Sequence, residues 1–255
     1  MAIFLTLNGI LGSGGGGGGG IPTRSLSFEQ LAQLSDGGNF ATFNPRTFSS
    51  SCWVSNFEAG GVLAPYFQKN IGAGLVLGIG IAGAGMNTPR ADFTTIGGFP
   101  AYSVPNSPSL PIRTSQWLHL YTIYDSTQAS DTNRIQQFVD GTLITYATPA
   151  ERGYPPQNTP VNVAGNAFFG RETVNQFGHP GGLLGLYYQP AFFSGILPTA
   201  AQLYNGGVPV NVLAFPGIYS ALITNETDNI GYDVVRNVTW SNPSDRTVKS
   251  TTIPI

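Results

Sequence analysis

The chain has 255 residues, enough for one large β domain or two small ones. Charged residues make up only 9% of it and hydrophobic residues 41%, whereas charged residues are about a quarter of a typical soluble domain. The chain is therefore too apolar to be intrinsically disordered. Its net charge of −2, without any basic cluster, excludes electrostatic binding of nucleic acid. We expect a surface rich in Ser, Thr, Asn and Gln, as in proteins that pack against partners.

The N-terminus is an apolar arm that runs into a glycine tract. The opening MAIFLTLNGIL lacks the basic region and cleavage site of a signal peptide and is too short to span a bilayer. We therefore expect an uncleaved arm and no membrane span. Ordering the seven glycines from Gly14 to Gly20 would cost roughly 10 kcal/mol. An ordered tract needs continuous hydrogen-bond partners, either copies of itself around a symmetry axis or a groove on another protein; the alternative is a flexible linker. The residues predicted to mediate assembly are Ile3, Phe4, Leu5, Leu7, Ile10, Leu11, Gly14 and Gly20.

Most of the remaining chain is predicted to be β-strand. Short apolar or alternating runs are separated by turn signals roughly every 8 to 12 residues, a pattern typical of a sandwich or jelly roll. Two short segments, 28–34 and 199–204, have helical character instead. The predicted strands are 25–28, 40–43, 50–57, 61–67, 75–82, 93–96, 117–124, 134–139, 142–148, 161–164, 167–171, 183–188 and, less regularly, 208–215.

Residues 116–146 have the clearest pattern. The first strand alternates with period two and has apolar residues on both faces, which predicts that both faces are covered. A polar loop over 125–133 reverses the chain, and Asp140-Gly141 predicts a two-residue hairpin turn. His119 lies within the strand and is predicted to be packed with one hydrogen bond. The single cysteine, Cys52, is predicted to be a small buried hydrophobe.

The order of these pieces resembles the LamG-like branch of the concanavalin A-like jelly rolls, particularly those of tailed-phage structural proteins. The resemblance covers about seven-tenths of the chain. It rests on RSLSF at 24–28, FSSSCWV at 48–54, WLHLYTIYDSTQASDTNRIQQFVDGTLIT at 117–145, PVNVAGNAFFGRE at 160–172 and GGLLGLYYQPAFFSGILPTAAQLY at 181–204. It implies an all-β jelly-roll sandwich. The strand 182–188 lacks the acidic residue that such domains often place there, so the resemblance by itself does not imply an inherited calcium or sugar site.

No motif predicts catalysis, a metal or a cofactor. The G-x-G-x-x-G match from Gly78 to Gly83 is followed by no helical pattern, so it does not predict a dinucleotide site. Glucan-cleaving relatives need paired carboxylates about 5 Å apart, and the nearest spacing, Glu226 to Asp228, lies outside the matching region. The two histidines have no nucleophile elbow and no metal-ligand spacing. We expect a protein that is not an enzyme.

A ligand site, if there is one, is predicted where two polar loops meet. The strand from Trp117 rises to Asp125, the next descends to the tight turn, and the third rises again. The loops 125–133 and 149–159 must then share one edge of the sandwich. The alternative is an ordinary solvated loop pair. The candidate residues are Asp125, Asp131, Asn133, Arg152 and Tyr154.

These observations predict a docking arm (1–24), a LamG-like jelly roll (25–205) and a C-terminal extension that makes assembly contacts (206–255). The predicted function is that of a non-enzymatic structural protein on the surface of a phage-like virion, such as a capsid decoration or head fibre. Its partners would be other virion proteins and copies of itself, as in a trimer. The alternatives are a carbohydrate-binding adhesin or tail receptor-binding protein that binds a cell-surface glycan, and a glycan-cleaving enzyme.

Overall fold

The computed structural model of the chain describes residues 21–28, 33–35, 45–59, 64–71, 74–82, 88–94, 101–104, 116–144, 154–160, 166–170, 183–225, 229–241 and 247–254. The arm residues 1–20, with all the predicted assembly residues, lie outside these ranges, as do Arg152 and the predicted strands 40–43 and 161–164. The strands are β1 (Ser25–Phe28), β2 (Gln33–Ser35), β3 (Thr47–Ala59), β4 (Ala64–Ile71), β5 (Gly74–Ala82), β6 (Thr88–Thr94), β7 (Ala101–Val104), β8 (Leu118–Asp125), β9 (Ile135–Val139), β10 (Thr142–Leu143), β11 (Asn166–Gly170), β12 (Leu183–Ser194), β13 (Ile218–Ala221), β14 (Tyr232–Asp233), β15 (Val238–Thr239) and β16 (Thr247–Ser250). The described helices are α1 (Ala200–Tyr204) and three 3-10 turns, at Asp131–Asn133, Asn205–Gly207 and Val212–Ala214.

The described strands form two main antiparallel sheets and a small hairpin. The larger sheet has the order β10-β9-β8-β3-β12-β1-β16, with β13 also paired to β12. The second sheet has the order β2-β11-β4-β5-β6-β7, and β14 pairs with β15. The sheets contact each other through β4 with β12 and β6 with β9. Because β3 lies between β8 and β12, distant parts of the chain are neighbours in the larger sheet.

The larger sheet is covered on both faces, as the period-two pattern predicted. Residues that alternate along β3 and β8 lie in register, with Trp53 beside His119 and Ser51 beside Tyr121. Tyr121 packs in a cluster with Leu203 of α1, so this face lies under the helix. The opposite face is also buried and includes Phe48 and Tyr124, whose rings stack 5.6 Å apart.

The C-terminal part of the chain belongs to this sheet. β13 pairs with β12, and β16 pairs with β1. Val212 and Ile223 are buried in the cluster that covers the helix side of the sheet. The boundary at residue 205 and the assembly role of 206–255 stay predictions, and the structure adds that strands on both sides of that boundary share one sheet.

Two sequence expectations were wrong. The helix predicted over 28–34 is contradicted at its two ends, because Phe28 ends β1 and Gln33–Ser35 form β2, paired with β11; residues 29–32 lie outside the described residues. A helix of about seven residues is marginal alone, and sheet pairing supplies the backbone hydrogen bonds instead. Residues 208–215 do not form a strand. Pro209 lacks an N–H, and the side chain of Asn211 accepts from the N–H of Leu213 at 3.1 Å, which begins a 3-10 turn.

Other predicted elements are present, although β10 covers only Thr142–Leu143 of the predicted strand 142–148, of which residues 145–148 lie outside the described residues. The hairpin turn is confirmed, with φ of 49° at Asp140 and 74° at Gly141, and α1 begins one residue after the predicted start. Strand β12 continues beyond its predicted end through Pro190, where a register shift against β3 absorbs the proline. The Gly78-Ile79-Gly80 segment lies inside β5, between β4 and β6.

Candidate functional site

The loop after β8 is organised by the carboxylate of Asp125. Its oxygens accept hydrogen bonds from the Thr127 hydroxyl at 2.6 Å and the Gln128 amide at 2.6 Å. The Thr127 N–H and the Thr47 hydroxyl also donate to it, each at 3.1 Å. Partial burial alone would raise the pKa of Asp125, but these hydrogen bonds outweigh it and lower the pKa. Asp125, a predicted ligand residue, therefore positions the loop.

Arg134 holds the second loop against the first. Its guanidinium donates to the carbonyls of Gln128 at 3.0 Å, Ala129 at 2.9 Å and Pro155 at 2.9 Å. The N–H of Asn158 also donates to the carbonyl of Ser126 at 2.7 Å. Residues 154–159 thus lie beside the 125–133 loop, as the strand directions predicted. The role of Arg134 was not predicted, because nothing in the local sequence shows that its guanidinium donates to three carbonyls, one of them in the second loop.

A cavity of about 250 Å³ opens beside these loops; we call it the loop-edge cavity. Two predicted ligand residues, Asn133 and Tyr154, line it. Asp131 is not among its lining residues, but it lies close enough to Tyr154 that, after burial, its charge contributes to a raised tyrosine pKa. The described lining residues are Thr132, Asn133, Ile135, Gln136, Leu143, Ile144 and Tyr154.

The cavity combines a flat aromatic ring with neutral hydrogen-bonding groups. The half-buried Tyr154 supplies the ring, while Thr132, Asn133 and Gln136 supply a hydroxyl and two amides. None of its described lining residues carries a formal charge at neutral pH. Such a surface can hold a neutral, polyhydroxylated ring by its apolar face and its hydroxyl groups.

Two other reactive side chains, those of His119 and Cys52, lie in the core. His119 is buried, and its Nε2 lies 2.9 Å from the Ser51 hydroxyl. Cys52 is buried, and burial raises the pKa of its thiol. The described ranges hold no group of three or more His, Cys, Asp or Glu side chains arranged to bind a metal ion. His179 and the carboxylates of Glu226 and Asp228 lie outside the described residues.

Comparison with known proteins gives similarity of structure alone. No protein-family model and no curated protein sequence matches the chain. A Bacteroides ovatus protein, provisionally designated carbohydrate-binding, superposes with a TM-score of 0.59 at 17% identity over 92% of this chain and 62% of its own. The extracellular region of zebrafish Gpr126/Adgrg6 superposes with a TM-score of 0.53 at 12% identity, and the match covers 90% of this chain and 26% of that region. A heptameric SAP-like pentraxin from Limulus polyphemus superposes with a TM-score of 0.48 at 11% identity, and the match covers 90% of this chain and 89% of the pentraxin chain.

The fold class is therefore an all-β jelly-roll sandwich of antiparallel sheets, as predicted. The chain spans about three-fifths of the Bacteroides protein and about a quarter of the zebrafish region. In the described parts of the chain, no helix has the length and apolar character needed to cross a bilayer.

Proposed function

We propose that the chain is a non-enzymatic carbohydrate-binding domain whose loop-edge cavity holds one neutral sugar ring. The observation that carries the proposal is the position of Tyr154 beside Asn133 and Thr132 in one cavity. The loops that present these residues are braced by Arg134 and Asp125, so little conformational entropy is lost on binding.

The chemistry of the cavity favours a neutral sugar over other ligands. An acidic ligand would need a cation, and a basic ligand an acid, yet the described lining residues supply neither. Hydrolysis of a glycan needs two carboxyl groups across the scissile bond, and no Asp or Glu is among the described lining residues. The likeness to the Bacteroides carbohydrate-binding protein agrees with the proposed ligand class but is a likeness of fold.

The test is a glycan array on the full chain, followed by titration of the best ligand. Tyr154→Ala and Asn133→Ala should each weaken binding about tenfold, the loss of one stacking or bidentate contact of about 1.4 kcal/mol. Tyr219→Ala is the matched control, because Tyr219 is half-buried elsewhere and packs against the Arg236 guanidinium. Undiminished binding by both site variants would place the sugar site elsewhere, and turnover of the glycan would contradict the non-enzymatic role.

The second part of the proposal is a place on the surface of a phage-like particle, as a capsid decoration or head fibre. Its support is the charged fraction of 9% and the resemblance of the strand order to phage structural domains. The arm would join copies of the chain, as in a trimer, and dock them on another virion protein. Light scattering should then show an oligomer for the full chain and a monomer for a chain that begins at Ile21. A monomeric full chain would contradict this part and leave the sugar site unaffected.

A further inference from the structure

A second, larger cavity lies at the opposite end of the β8–β9 hairpin, beside the Asp140–Gly141 turn. Its volume is about 410 Å³, within the range of small-molecule sites. We call it the aromatic cleft, and its lining includes Trp53, Gln116, Trp117, Asp140, Tyr204 and Thr252. It shares no described lining residue with the loop-edge cavity.

The aromatic wall is held in place by the fold. The rings of Trp53 and Tyr204 stack with centroids 5.9 Å apart at 29°. Trp53 is only 4% exposed and backs the wall, whereas Tyr204 and Trp117 are half-buried. Trp117 meets the ring of Tyr188 edge-on at 6.2 Å. The wall therefore presents aromatic surface without requiring side chains to reorganise.

Gly141 permits this arrangement. A Cβ atom at this position would lie 2.9 Å from Cδ1 of Tyr204, closer than real Cβ contacts, and the φ of 74° also favours glycine. The hairpin turn and the C-terminal end of α1 can thus touch. This contact, between residues far apart in sequence, sets the position of the Tyr204 ring.

Polar groups from three parts of the chain surround the aromatic wall. Asp140 is tied to β8, because its Oδ1 accepts from the N–H of His119 at 2.8 Å and its N–H donates to the His119 carbonyl at 2.9 Å. Thr252 is held by its carbonyl, which accepts from the Ser25 hydroxyl at 2.7 Å. Gln116 is exposed and adds an amide. Aromatic surface bordered by a carboxylate, an amide and a hydroxyl suits a sugar ring.

We propose that the aromatic cleft is a second saccharide site, which stacks a neutral pyranose ring on Trp117 and Tyr204 and binds its hydroxyl groups through Asp140 and Gln116. The inference rests on the proposed function for the class of ligand but uses different residues. The carboxylate of Asp140 and the absence of Lys or Arg among the described lining residues disfavour acidic sugars. With two sites, one chain can bind two units of a glycan, which raises avidity without new contacts.

Tryptophan fluorescence distinguishes the two sites. Trp53 and Trp117 line the aromatic cleft, no tryptophan is among the described lining residues of the loop-edge cavity, and Trp240 is buried. The probes are short neutral oligosaccharides of glucose, galactose and mannose, with a sialylated oligosaccharide as the acidic probe. At least one neutral probe should shift the tryptophan emission of the full chain, and the acidic probe should bind at least tenfold more weakly.

The variants separate this inference from the proposed function. Trp117→Ala should weaken binding to the cleft at least tenfold, Trp117→Phe should recover part of it, and Tyr154→Ala should leave it unchanged. Asp140→Asn keeps an acceptor for the His119 N–H and should reduce the discrimination against the acidic probe. Ligand-observed magnetic resonance then reports total binding by each variant. The second site would be overturned if binding were lost in Tyr154→Ala but not in Trp117→Ala, or if no neutral probe shifted the emission. The loop-edge site would be overturned if binding were lost in Trp117→Ala but not in Tyr154→Ala.

Discussion

His119 shows how strongly burial alters a single residue of this fold. It is 1% exposed, its ring lies 4.9 Å from Trp53, and its Nδ1 has no hydrogen-bond partner. Burial lowers the pKa of His119 to about 3, far below its ordinary value near 6.5. The residue is thus neutral in the folded protein at physiological pH, and its position in the core agrees with the packed role predicted for it.

The stability of the protein should therefore fall in mild acid. Between pH 6.5 and about 3 the unfolded chain binds a proton at His119 that the folded chain does not, so this contribution is complete above pH 6.5 and is lost as the pH falls. The loss is at most about 1.4 kcal/mol per pH unit. Urea unfolding at several pH values gives the unfolding free energy as a function of pH. This free energy should change less steeply with pH for His119→Gln than for the unsubstituted chain. Equal slopes from pH 6.5 to 4.5 would show that His119 is protonated in the folded state.

Gly141 and Gly206 provide a matched pair at the same scale. Both have positive φ, 74° and 66°, but a Cβ at Gly206 would meet no atom within 4 Å, whereas one at Gly141 would meet Tyr204 at 2.9 Å. Gly206→Ala should cost about 1 kcal/mol of unfolding free energy from backbone strain alone. Gly141→Ala should cost about 1 to 3 kcal/mol more because of overpacking, measured by denaturant unfolding. Equal costs would mean that Tyr204 moves away without loss.

At the scale of elements, α1 is short but well defined at both ends. The Thr199 hydroxyl accepts from the N–H of Gln202 at 3.2 Å, and the Gln202 side chain accepts from the N–H of Thr199 at 2.8 Å, which together form a capping box. Asn205 ends the helix with a φ of 48°. A helix of five residues is not stable alone. The burial of Ala200 and Leu203 therefore supplies the remaining stabilisation of α1.

Thr199→Ala should lower the unfolding free energy by about 1 kcal/mol, because it removes the cap from a helix that covers the larger sheet. Ser130→Ala is the control: Ser130 precedes the 3-10 turn at Asp131–Asn133 without a side-chain cap, and its change should stay within about 0.5 kcal/mol. Chemical denaturation of the two variants compares them directly. A loss for Ser130→Ala as large as that for Thr199→Ala would contradict the capping argument.

At the scale of the whole molecule, residues at both ends of the described chain complete one sheet. β1 lies between β12 and β16, and the N–H groups of Thr23 and Arg24 donate to Asn225 and Thr224. The buried hydroxyl of Tyr188 donates to the carbonyl of Pro22 at 2.7 Å. Residues 21–24, which the sequence assigned to the docking arm, thus contact the core and should contribute to its stability.

A chain that begins at Ile21 should therefore melt as cooperatively as the full chain. One that begins at Thr23 should lose about 1 to 3 kcal/mol, because the buried Tyr188 hydroxyl loses its acceptor. Adding Tyr188→Phe to the shorter chain should recover part of that loss, since no unpaired hydroxyl then remains. Thermal and urea unfolding measure all three chains. Equal stability of the chains that begin at Thr23 and at Ile21 would contradict this prediction. It would mean that water accepts the hydrogen bond of the Tyr188 hydroxyl in place of the Pro22 carbonyl.

The sequence by itself determined the fold class, the β9–β10 hairpin, the position of α1 and the meeting of the two loops. These features depend on local signals: period-two alternation, the Asp140-Gly141 turn, the Thr199 cap and strand direction. Strand direction also predicted that Asn133 and Tyr154 lie at the same edge, and both line one cavity; that they bind a ligand stays a prediction.

Tertiary structure alone decided the features that depend on pairing between distant residues. Phe28 became the end of β1 and residues 33–35 became β2, because β12 and β11 offer hydrogen bonds that an isolated helical turn lacks. Asp125, whose role as a ligand residue stays a prediction, also accepts a hydrogen bond from the hydroxyl of the distant Thr47 on β3. The aromatic cleft joins Trp53, Trp117, Tyr204 and Thr252 from four separate segments. No periodic pattern in the sequence predicts such contacts. They form only because the fold brings β3, the Asp140–Gly141 turn after β9 and the C-terminal end of α1 together.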